Sequence, residues 1–133
     1  MYSLCSNRLC SNQLQCVPDI TVYVNCNTHF AINVKHFNLT DEETLVFAIK
    51  NYDYIGAPTI FTSEIVKDDE NAKGECIIKI PPEVSRKIIP GAFYTFVLVS
   101  TDIESGESIY TKLTKNGNIN LDYGAPDLAR GVD

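Results

Sequence analysis

The sequence predicts an all-β protein: an antiparallel β-sandwich of about seven to nine short strands in one domain. Three observations carry this expectation. Apolar and polar residues alternate along much of the chain between Asp19 and Leu121, the period of a half-buried strand. Turn residues interrupt the alternating runs at short intervals, among them Gly56, Pro58, Gly74, Pro81-Pro82, Pro90-Gly91 and Gly106. The aromatic mass comes from seven Tyr and six Phe with no Trp, and both residue types suit a pleated surface.

Read in order, Ile20, Val22 and Val24 alternate with Thr21, Tyr23 and Asn25 to give a first strand. Asn25 to Thr28 reads as a turn, and Phe30, Ile32 and Val34 form a second strand, close enough to make a hairpin with the first. Thr40-Asp41-Glu42-Glu43 mimics a helix capping box. The residues after it deny the helix, because Leu45, Phe47 and Ile49 share one face at period two. Asn51 to Pro58 is a loop, Thr59 to Val66 a strand, and Lys67 to Gly74 a charged turn. Cys76, Ile78 and Ile80 line the next strand, which Pro81-Pro82 stops. Pro82 opens a helical turn over Glu83 to Lys87. Pro90-Gly91 makes a corner in which Gly91 takes the positive φ of a type II turn. Beyond it Tyr94, Phe96 and Leu98 point one way, while Phe93, Thr95, Val97 and Val99 point the other. Ser108 to Leu113 returns, Asn116-Gly117 signals a turn, and Ile119 and Leu121 close the domain.

This divides the chain into an extended N-terminal arm over 1–16, a sandwich over 17–121 and an extended C-terminal tail over 122–133. Leu4, Leu9 and Leu14 recur every fifth residue, which is the period of neither helix nor strand. Segments without a period offer few core anchors, so both ends are expected to lie on a neighbouring subunit.

Composition limits the function. A net charge of −6, with eleven Lys and Arg scattered from Arg8 to Arg130, argues against nucleic acid and anionic membrane as partners. No apolar run reaches the roughly 20 residues that span a bilayer. The first sixteen residues lack a basic n-region and an apolar h-region, so cytoplasmic assembly is expected. The five cysteines, Cys5, Cys10, Cys16, Cys26 and Cys76, read as thiols in a reducing compartment, Cys76 as a small buried hydrophobe. The weighed alternative is zinc held by the first three with Cys26 or His29.

No catalytic, cofactor or metal site is expected. His29 and His36 are seven apart on one strand and face opposite ways. Asp68, Asp69 and Glu70 read as a solvated hairpin tip more readily than as a calcium site. Two groups of residues do stand out. Pro90, Gly91 and Tyr94 form a structural corner, with the Tyr94 hydroxyl expected to reach back to the Glu83–Lys87 crossover. Tyr52, Tyr54 and Phe61 are the candidate ligand or interface aromatics.

Three segments in order carry a resemblance: Asn38 to Lys50 with its TLVFAIK strand, Gly74 to Ile80, and Pro82 through Pro90-Gly91-Ala92-Phe93-Tyr94-Thr95-Phe96. The run from Phe37 to Thr114 resembles the small immunoglobulin-like domains encoded among tail and baseplate genes of phages and prophages of Gram-positive bacteria, such as the N-terminal domain of baseplate upper proteins. The family's "PGxYxY" strand is altered here, Phe93 and Thr95 standing where the two tyrosines would be, with Tyr94 between them. The resemblance implies an immunoglobulin-like sandwich serving as a non-enzymatic structural component of a virion, in the tail, baseplate, neck or on the capsid. Its implied partners are other virion proteins and copies of itself, assembled in the host bacterial cytoplasm. The alternative reading is a carbohydrate-binding or cell-surface adhesion module.

Overall fold

Alternating runs of this kind satisfy their backbone only by pairing with one another, and they do so in two layers. The computed structural model describes residues 2–4, 14–34, 39–67 and 74–124. Its elements are β1 (Tyr2–Ser3), β2 (Ile20–Tyr23), β3 (Thr28–Asn33), β4 (Glu43–Lys50), β5 (Thr59–Val66), β6 (Glu75–Ile80), α1 (Pro82–Ser85), β7 (Phe93–Thr101), β8 (Ser108–Lys112) and β9 (Gly117–Asp122). The protein is all-β, with the single turn of α1 as its described helix. One sheet has the order β1-β3-β6. The other has the order β2-β9-β7-β4-β5, with β8 also paired to β7.

The inward faces of the two sheets make one core. Ile32, Ile78 and Ile80 come from the smaller sheet, and Leu45, Phe47, Ile49, Tyr94 and Phe96 from the larger, all fully buried. Phe47 is the hub of a ring cluster. It meets Phe30 edge-on across the layers at 5.4 Å, and Phe96 and Tyr94 within its own sheet at 5.4 and 5.5 Å. Offset and edge-on rings are the arrangements that the aromatic quadrupole favours.

Several expectations are corrected. β2 and β3 do not form a hairpin: β2 pairs with β9 and β3 with β6, so the Asn25 turn carries the chain from one layer to the other. Asn25 takes a positive φ of 68° there. Its N–H donates to Ser85 Oγ at 3.0 Å, and its Oδ1 accepts from Arg86 Nε at 2.7 Å. Held from α1, the turn commits β3 to the opposite sheet instead of folding it back. The sandwich is also not purely antiparallel, since β1–β3 and β2–β9 are parallel pairs. Asn116-Gly117 is no hairpin turn, because β8 and β9 both run antiparallel to β7, one after the other along it. Between them Thr114 Oγ1 accepts from Phe96 N at 3.1 Å, so a side chain completes the ladder where the strand is interrupted. The capping-box pattern at Thr40 makes its hydrogen bond after all, Thr40 N donating to Glu43 Oε1 at 2.9 Å, but at the entry to β4 and not of a helix.

The N-terminal residues contribute to the core. Leu4 is 2% exposed, and its N–H extends the β1 pairing by donating to Asn33 O at 2.9 Å. Gln15 bridges Thr114 in the same parallel register that β2 keeps with β9. The C-terminal residues 125–133 lie outside the described residues. Leu4→Ala is expected to destabilise the protein by about 2–4 kcal/mol, the range for emptying a buried leucine site. Leu14→Ala, at an exposed position, should change stability by under about 1 kcal/mol, both variants read by urea titration.

Candidate functional site

The β4–β5 loop, residues 51–58, carries the exposed aromatics, and two side-chain brackets hold it. Asn51 uses both ends of its amide: Nδ2 donates to Lys87 O at 2.8 Å and Oδ1 accepts from Ile89 N at 3.1 Å. This ties the loop to the crossover that follows α1. On the other side Asn116 Nδ2 donates to Asp53 Oδ2 at 3.1 Å, and Asn116 Oδ1 accepts from Lys112 Nζ at 2.9 Å. The tip is a turn in which Ala57 N donates to Tyr54 O at 3.0 Å, with Gly56 at φ 87°. Ala57 is buried and anchors that turn.

The loop therefore presents its apolar side chains from a fixed frame. Tyr52 and Tyr54 are more than half exposed and Ile55 is fully exposed. The two tyrosine rings lie 5.9 Å apart at an interplanar angle of 39°. Phe61, expected with them, is placed elsewhere. It faces inward from β5, partly buried, with its ring 6.3 Å from Phe47. The exposed cluster is thus Tyr52, Tyr54 and Ile55. Ile55 carried no sequence signal, because its exposure depends on the Gly56 turn.

The corner residues lie where the chain re-enters the larger sheet. Ala92 N donates to Ile89 O at 3.1 Å, and Gly91 has φ 94°, the left-handed value that position i+2 of a type II turn requires. Tyr94 is fully buried, and its hydroxyl donates to Pro18 O at 2.5 Å. The expected partner was the Glu83–Lys87 crossover. The hydroxyl instead ties β7 to the segment that leads into β2. Gly117 explains how β9 comes so close, since a Cβ there would lie only 2.3 Å from Cε1 and 2.5 Å from Cζ of the Tyr94 ring.

Elsewhere the chemistry is sparse. An open groove lies where β2 and β3 diverge, lined by Asp19, Tyr23, His29 and Phe30 among others. Among the described residues no three His, Cys, Asp or Glu side chains gather as metal ligands would. No buried side-chain nitrogen or oxygen among them lacks a hydrogen-bond partner. Cys16 is exposed, Cys26 half-buried and Cys76 buried. Cys5, Cys10, His36 and the Asp68–Glu70 tip lie outside the described residues. No described helix is long and apolar enough to cross a membrane. The chain matches no family model and is similar to none of the curated proteins.

Three outcomes are expected from these contacts. Tyr94→Phe removes the hydrogen bond to Pro18 O, at an exposed residue, and should lower the unfolding free energy by about 0.5–1.5 kcal/mol, while Gly117→Ala forces the ring or β9 to shift and should lower it by about 1–3 kcal/mol, both read by chemical denaturation. Asn116→Ala should raise amide hydrogen exchange at residues 52–55 while leaving the β4 and β7 amides protected, as expected for a local opening.

Proposed function

We propose that the protein is a non-enzymatic structural component of a phage virion, built on an immunoglobulin-like sandwich and acting through protein–protein contacts. The immunoglobulin-like part is supported by strand order. β3 and β6 take the places of strands B and E of that fold, and β9, β7, β4, β5 those of strands G, F, C and C′, whereas β1 pairs parallel to β3, unlike strand A. The assembly part is supported by the resemblance of residues 37–114 to tail and baseplate domains.

The observation that carries the reading is the pinned loop. Exposed tyrosines on a frame that is already ordered are the side chains that anchor protein interfaces, because little conformational freedom is lost when they are covered. Every described buried polar side chain has a partner within the fold, which suits a contact surface better than a reaction site. The decisive experiment is particle incorporation of a Tyr52→Ala/Tyr54→Ala/Ile55→Ser variant. These surface changes should leave stability within about 0.5–1 kcal/mol of wild type, yet remove the protein from purified particles. Incorporation at the wild-type level would sink the loop's role.

The carbohydrate reading rests on the same tyrosine pair. A sugar platform needs ring faces presented together, and the 39° tilt between these rings disfavours it. Selective glycan-array binding that is lost in Tyr52→Ala would reverse that preference.

A further inference from the structure

β5 is the outer strand of the larger sheet. β4 pairs along one side of it, and among the described residues no strand pairs along the other. It runs for eight residues, against five in β8 and four in β2. Long free edges are normally blunted by lysine, proline or an inward-pointing charge. β5 has none of these between Thr59 and Val66. Its single charge, Glu64, points outward, as do Thr62 and Val66, while Phe61, Ser63 and Ile65 lie opposite Ile49, Phe47 and Leu45 on the core side.

We propose that β5 pairs antiparallel with β5 of a second copy of this chain, about a two-fold axis through Ser63. Such an axis, perpendicular to the sheet, keeps inward residues inward and outward residues outward. It sets Phe61 opposite Ile65 on the core side and Thr62 opposite Glu64 on the outer side, while Ile60, at the bulge, packs against the core. Apolar residues then meet apolar ones, and each carboxylate meets a hydroxyl. Centring on Thr62 would place Phe61 against Ser63, and centring on Glu64 would oppose two carboxylates. The edge is thus more complementary to itself about Ser63 than about either neighbour on the strand. The pairing closes at two copies, since each copy uses the same edge.

This deepens the assembly reading by naming a partner, and rests on it only for that class of function. The Tyr52–Ile55 loop lies off the strand, so either test can fail without deciding the other.

Sedimentation of the full chain over a concentration series tests the pairing. Wild type should dimerise and go no further. Thr62→Glu opposes Glu64 of the other copy twice and should weaken the dimer by roughly tenfold; Thr62→Lys creates two opposite-charge pairs and should tighten it by roughly fivefold. Thr62→Glu/Glu64→Lys, which places opposite charges across the pair with the signs exchanged, serves as the reciprocal variant and should recover dimerisation. Circular dichroism on each variant checks that this exposed position leaves the fold intact. A monomer at every concentration, an assembly of more than two copies, or two Thr62 substitutions that act alike would each overturn the proposal.

Discussion

The placement of Tyr94 constrains more of the molecule than any other side chain. Its ring is enclosed by Phe30, Phe47 and Phe96, so it belongs to the core of both layers. A buried phenol must satisfy its hydroxyl, and Pro18 O does so from the segment ahead of β2. The same ring lies against Gly117, which sets how near β9 comes to β7. One residue thus relates three strands of the larger sheet, and it opposes the smaller sheet through Phe30. A phenylalanine would keep the packing and lose the tie to β2. A side chain at residue 117 would keep the tie and displace the strand.

The β4–β5 loop shows how such a frame supports a surface. Its two brackets come from parts of the chain remote in sequence: Lys87 and Ile89 after α1, and Asn116 between β8 and β9. The brackets are amide and carboxylate contacts at the protein surface, each individually modest. They fix Asn51 and Asp53 at the start of a short loop whose far side the buried Ala57 turn holds, which leaves the tip few conformations. That geometry accounts for two tyrosines and an isoleucine remaining exposed beside one another without collapsing onto the core.

Much of the strand pattern was legible in the sequence, because β4 and β6 alternate cleanly and their neighbours in space bury one face. What escaped depends on contacts between distant residues. Leu4 follows no period, yet three residues suffice to extend the edge of β3 and bury one side chain. The Asn25 turn was visible, but its direction is decided by Ser85 and Arg86, sixty residues away along the chain. Gly117 read as half of an Asn-Gly turn because local sequence cannot reveal a ring pressing on its backbone. Among the candidate aromatics, Tyr52 and Tyr54 share the loop, whereas Phe61 lies past the register shift near Lys50, where inward orientation is set by pairing with Ile49.

The parallel pairing of β2 with β9 has a consequence in time. Ile20 needs Ile119, and Val22 needs Leu121, so the first strand of the larger sheet cannot dock until nearly the whole chain exists. At ribosomal rates this leaves β2 without its partner for roughly five to twenty seconds. β4, β5 and β7 can meanwhile pair with one another, each strand meeting a neighbour that precedes it in synthesis. β2 is therefore made early and seated last, as a clasp drawn over a sheet already formed.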